Sequence, residues 1–70
     1  MGNIPGVSHQ QAIRAFGRAG FWILRQSGHV VMSNGSRIIT IPRANPINGY
    51  TLGGIVRDAG LSEAEFRKLL

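Results

Sequence analysis

Residues 25–43 read RQSGHVVMSNGSRIITIPR, and how this stretch pairs with itself decides the fold. At its centre is Asn34-Gly35, a dipeptide that accepts positive φ at both central positions of a type I′ turn and is flanked here by β-branched runs. A two-residue loop at 34 and 35 pairs Ser33 with Ser36, Val31 with Ile38 and His29 with Thr40. Side chains alternate faces, so Val30, Met32, Ile39 and Ile41 share one face, apolar apart from Arg37 near the turn. His29, Val31, Ser33, Ser36, Ile38 and Thr40 share the other. The first face is expected to be core. His29, at the start of the middle strand, then stands on the open side beside Thr40.

Working outward toward the N-terminus, Phe21 to Gln26 is aromatic and β-branched and reads as the first strand, with Ser27-Gly28 as its connection to His29. Gln26 then faces His29, and Trp22 and Leu24 join Val31 and Ile38 on the open face. Such a patch is too apolar for a free monomer to expose without purpose, and it predicts a protein partner or a dimer. Ser8 and Gln11 have capping-box spacing, Ala12, Ala15, Phe16 and Ala19 mark one buried helical stripe, and Gly20 closes that helix. Residues 1–7, with Gly2, Pro5 and Gly6, are expected to be an irregular lead-in.

Toward the C-terminus, residues 42–49 form a loop that carries Arg43. Thr51 is expected to cap a second helix with Leu52, Ile55, Val56 and Ala59 inward, ended by Gly60-Leu61, although Gly53 and Gly54 do not suit a helix interior. Ser62 and Glu65 make a second capping box before Phe66, Leu69 and Leu70. The reading is one α+β domain over residues 1–70, ordered α-β-β-β-α-α, with helices on one face of a three-stranded antiparallel sheet.

Composition narrows the chemistry. The chain has no cysteine, so disulfides and thiolate sites are excluded, and two histidines with three acids poorly supply a metal cage; no metal and no cofactor are expected. No apolar run approaches the ~18 residues of a membrane span, and a soluble, intracellular protein is the expectation. Residues 1–57 carry six arginines (14, 18, 25, 37, 43 and 57) and no acid, whereas residues 58–70 carry three acids against two bases, so +6 is followed by −1. Six uncompensated guanidiniums on so small a body imply a polyanion or an acidic protein partner, and the planar fork of arginine suits phosphate.

Histidine exchanges protons near neutrality in either direction, and His29 is the residue of the central region able to do so. Such a group can cleave RNA, where the 2′-hydroxyl is an internal nucleophile and no metal is required. Arg25, Arg37 and Arg43, with Gln26 beside them, are the expected RNA-contacting set, holding phosphates and offsetting transition-state charge. His9 stands in the first turn of a helix, where a positive charge is disfavoured, and is read as surface. No glycine-rich phosphate loop follows a strand, no carboxylate pair lies centrally and no serine has an acid-histidine arrangement, which leaves P-loop enzymes, dehydrogenases, glycosidases and triad hydrolases unsupported.

The order Pro5-Gly6-x-Ser8, Gly20-Phe21, Arg25-Gln26 before a turn and His29, Ile41-Pro42-Arg43, Thr51-Leu52, and Ile55-Val56-Arg57-Asp58-Ala59-Gly60-Leu61-Ser62 with Phe66 resembles the HicA toxin family over nearly the whole chain. HicA proteins are small basic mRNA interferases of HicA-HicB toxin-antitoxin pairs, with a fold similar to double-stranded RNA-binding domains and a required histidine after the first hairpin turn. The resemblance implies that His29 is catalytic, that the substrate is mRNA and that the chain is cytoplasmic. It also implies an acidic HicB-like antitoxin covering the basic surface, His29 and the open face of Trp22, Leu24, Val31 and Ile38, with oligomerisation through that partner. The chain departs from the family by writing Ser27-Gly28-His29 for Gly-Ser-His, Ala44 for a histidine and Tyr50 for a glycine, which leaves Arg43 and Asn45 beside the lost histidine's place. Two other readings keep the charge without turnover: a non-catalytic RNA-binding module, and a subunit that only docks an acidic protein.

Overall fold

The Ser8 hydroxyl accepts a hydrogen bond from the Gln11 amide at 3.1 Å, and the Ser8 amide donates to Gln11 Oε1 at 2.8 Å, the reciprocal box that the Ser-x-x-Gln spacing implies. In the computed structural model, which describes residues 3–70, helix α1 therefore spans His9–Arg18 and buries Ala12, Ala15 and Phe16. Residues 1 and 2 of the expected lead-in lie outside the described residues. Strands β1 (Trp22–Arg25), β2 (Val30–Ser33) and β3 (Ile38–Ile41) follow, then helices α2 (Gly49–Asp58) and α3 (Glu63–Leu69). The order is α-β-β-β-α-α, and the strands form one antiparallel sheet with β2 in the middle. Among the described residues, no helix is long and apolar enough to cross a membrane.

The period-two pattern places the core on the expected face. Val30, Met32, Ile39 and Ile41 are buried in one cluster with Phe16, Leu52, Val56 and Phe66 from the helices, and Phe16 packs on Phe66 with ring centroids 4.9 Å apart. Three further core residues come from segments expected to be loops. Ile4, Val7 and Ile47 are all buried, and the Ile47 amide donates to the Val7 carbonyl at 2.8 Å. Isolated between glycines, prolines and asparagines, they show no periodicity that would mark them as core.

Both hairpin loops are longer than their turn residues suggest. Ser33 pairs with Ile38, Met32 with Ile39, Val31 with Thr40 and Val30 with Ile41, so Ser36 and Arg37 belong to the loop and Thr40 faces Val31 rather than His29. The cause is Asn34. Its Oδ1 accepts from the amides of Ser36 (2.9 Å) and Arg37 (2.7 Å), holding a wider turn in which only Gly35, at φ +94°, takes positive φ. The slip is two residues, which changes partners but leaves every side chain on its expected face.

In the first hairpin Trp22 pairs with Ser33 and Ile23 with Met32 as a tight Ser27-Gly28 turn requires, but a bulge at Leu24 then sets Arg25 opposite Val31. An unbroken ladder would aim Arg25 at Val30 on the core face. The extra residue carries the guanidinium to the open face instead, avoiding an unpaired charge in the core. Residues 26–29 become the connection, and His29 lies in it just before β2 rather than at the start of the strand, so Gln26 and His29 are not a strand pair.

Helix α2 begins earlier than Thr51. Asn48 is its cap, with Oδ1 accepting from the amides of Tyr50 at 3.0 Å and Thr51 at 3.1 Å. Gly49 fits here for a steric reason: a Cβ on it would collide with the Asn3 side chain and stand 3.3 Å from the Ile4 carbonyl carbon. The helix runs through Gly53 and Gly54 and ends at Gly60, φ +79°, with the Leu61 amide donating to the Val56 carbonyl at 3.1 Å. The Ser62–Glu65 box starts α3, whose Phe66 is buried, whereas Leu70 lies past the helix and is exposed.

Candidate active site

Arg43 ties the histidine loop to the segment after β3. Its Nε donates to the Gly28 carbonyl and its Nη2 to the Gln26 carbonyl, each at 2.5 Å, so one edge of the guanidinium fork grips the loop on both sides of Ser27. Gly28, at φ +81°, then turns the chain into His29, which is exposed. The Gly28 carbonyl belongs to the peptide that begins His29, so the bond to Arg43 fixes that peptide plane directly.

The adjoining segment reaches the start of α1. The His9 amide donates to the Ala44 carbonyl and to Asn45 Oδ1, both at 3.2 Å, and the His9 ring Nδ1 lies 3.0 Å from that same Oδ1. Residues 7–9, 26–29 and 42–45 thus meet at one end of the sheet. Arg25 stands beside them at the end of β1, and Tyr50, 65 % exposed, lies in the first turn of α2.

The expected RNA-contacting residues divide. Arg25, Gln26 and Arg43 gather around the histidine loop, but Arg43 acts on backbone carbonyls and Gln26 contributes its carbonyl to the clamp. Arg37 is elsewhere: at the β2–β3 turn it is separated from His29 by the length of β2, on the order of 13 Å at ~3.3 Å per residue. Its Nη1 donates to the Asp58 carbonyl at 3.1 Å, neutralising the last turn of α2. Arg18 similarly donates to the Leu69 carbonyl at 2.6 Å. Among the described residues, the side chains of Arg14, Arg25 and Arg57 have no hydrogen-bond partner, so of the three arginines expected to meet phosphate only Arg25 has an unengaged guanidinium.

The open face carries the expected apolar residues. Trp22, Leu24 and Ile38 are 52 %, 54 % and 66 % exposed and Val31 is half-buried. Leu24, Val31 and Ile38, with Arg25, line a depression of about 310 Å³. Trp22 stands apart from it and reaches toward the β2–β3 turn, 3.6 Å from where a Cβ on Gly35 would sit. Read from the sequence as surface, His9 is placed differently by the structure. His9 is half-buried with its ring held, and Asn45 holds it; only the tertiary fold brings positions 36 residues apart together.

Compared with protein-family models, with curated proteins and with solved structures, the chain finds no match.

Proposed function

We propose that this chain is an RNA-binding endoribonuclease, an mRNA interferase of the HicA kind and the toxin of a toxin-antitoxin pair, acting in the cytoplasm without a metal. The observation that carries the reading is the clamped loop. His29 is exposed for proton transfer, the Arg43 fork orders the backbone in front of it, and the unpartnered Arg25 stands at the adjacent strand end to meet a phosphate. The absence of acids from residues 1–57 supports a polyanionic substrate. An acidic HicB-like antitoxin is the partner that fits the apolar open face rimmed by arginine.

The test is cleavage of a long single-stranded RNA in the presence of a chelator, comparing the parent with His29→Ala at equal concentration. The parent is expected to cut and the variant to lose cutting while its unfolding free energy changes by less than ~0.5 kcal/mol, because an exposed side chain has little packing to lose. Binding without cleavage by either protein would leave a non-catalytic RNA-binding module. No binding at moderate salt would leave a subunit that only docks a protein.

A further inference from the structure

We propose that His9 is a second catalytic residue, the general base that takes the proton from the RNA 2′-hydroxyl, with Asn45 as the residue that positions its ring. The inference rests on the ribonuclease reading above and adds to it the group that a single histidine leaves unassigned.

Asn45 Oδ1 accepts from the His9 backbone amide at 3.2 Å, and an amide N–H can only donate, so the oxygen of the Asn45 carboxamide, not its NH2, faces the histidine. The same oxygen lies 3.0 Å from His9 Nδ1. An oxygen acceptor at that distance requires a proton on Nδ1. In the neutral ring the lone pair is therefore on Nε2, and the ring is held by its other nitrogen in the orientation that keeps Nε2 available. Catalytic histidines are commonly prepared in this way, one nitrogen anchored and the other left to move the proton. No side-chain hydrogen bond among the described residues holds the His29 ring, so its anchoring comes from the backbone clamp alone.

Residues 43–45 link the segment of His9 to the loop of His29. The His9 amide bonds the Ala44 carbonyl, and the next residue back, Arg43, bonds the Gly28 and Gln26 carbonyls ahead of His29. The two imidazoles thus belong to segments joined through residues 43–45. Cleavage by internal transfer needs two proton movements. His9 Nε2 takes the 2′-hydroxyl proton as the 2′-oxygen forms its bond to phosphorus. The bond from phosphorus to the 5′-oxygen breaks, and that oxygen leaves with a proton from protonated His29. The products are a 2′,3′-cyclic phosphate and a 5′-hydroxyl, and no water or metal is consumed.

The experiment uses the intact chain and an RNA carrying a mapped cleavage position, prepared with either the ordinary 5′-oxygen or a 5′-sulfur there; a thiolate leaves without a proton. His9→Ala is expected to lose at least ~100-fold in cleavage of both RNAs. His29→Ala is expected to lose the oxygen substrate but recover on the sulfur one. Asn45→Ala, which keeps both histidines, is expected to lower kcat with KM little changed. Nitrogen-15 NMR of the imidazoles should show the His9 proton on Nδ1 in the parent and its loss from that nitrogen in Asn45→Ala. If the parent cleaves and His9→Ala cleaves the oxygen substrate within about threefold of it, the inference is overturned while the ribonuclease reading stands. A His9 ring protonated on Nε2 alone overturns it as well. Absence of cleavage by the parent overturns both.

Discussion

Arg43 shows what a guanidinium does that an ammonium does not. The carbonyls of Gln26 and Gly28 lie on opposite sides of Ser27, and two parallel donors in one plane satisfy both without bending the loop. Lysine at the same position offers its donors from a single nitrogen and cannot supply two parallel N–H groups in one plane. Arg43→Lys is therefore expected to behave almost like Arg43→Ala, each losing about 1 kcal/mol of stability and each speeding amide exchange of residues 26–29 well beyond that of the β2 amides. Wild-type exchange in the lysine variant would mean that charge near the loop is sufficient and that the fork is incidental. Arg37 is the contrasting case. It meets only the Asp58 carbonyl, a helix-terminal contact in which any cation gains a few tenths of a kcal/mol, so Arg37→Lys is expected to be nearly neutral.

Among the helices, the caps carry the boundaries, and two of the three were legible because capping boxes are local: Ser8 with Gln11 and Ser62 with Glu65 each lie within one turn. The start of α2 is not legible in the same way, because Asn48 lacks a box partner and Thr51, three residues on, is itself a good capping residue. Asn48→Ala is expected to cost about 1 kcal/mol, whereas Thr51→Ala, in the first turn and exposed, should fall within ~0.5 kcal/mol of the parent; reversed sizes in chemical denaturation would restore Thr51 as the cap. In α3 the Ser62 amide and hydroxyl hydrogen-bond Glu65 and hold its carboxyl below the ordinary range, with Lys68 adding a smaller pull. A depressed carboxylate supports the folded state above the pH at which it titrates in the unfolded chain, and that support fades as pH falls through the lower folded value. Ser62→Ala is thus expected to shift the Glu65 titration upward and to flatten the acid side of the stability profile. The strand faces could be read because they depend on parity, which survives a two-residue slip. The loop lengths could not, since Asn34 and the Leu24 bulge act through hydrogen bonds and an avoided buried charge that no dipeptide preference contains.

At the scale of the molecule, the charge count of the sequence does not by itself locate a binding surface, because hydrogen bonding sorts the arginines. Arg18 and Arg37 donate to the last carbonyls of α3 and near the end of α2, whereas Arg25 is brought by the bulge to the open face beside the histidine loop. The His9–Asn45 pair forms only through contacts between residues 36 positions apart in the chain, which is why local patterns left His9 as an ordinary surface residue. The separation of Arg25 from Arg37 gives a measurable consequence. Screening acts over about 10 Å at 0.1 M salt, and Arg37 stands roughly 13 Å or more from the His29 end, so a phosphate held there senses Arg25 far more than Arg37. Arg25→Ala is expected to flatten the dependence of log RNA affinity on log salt by about 0.7 to 1 unit, and Arg37→Ala by much less. The comparison separates local from diffuse attraction: equal flattening by both variants would mean that RNA is drawn to the net charge of the molecule and is not held at the clamped loop.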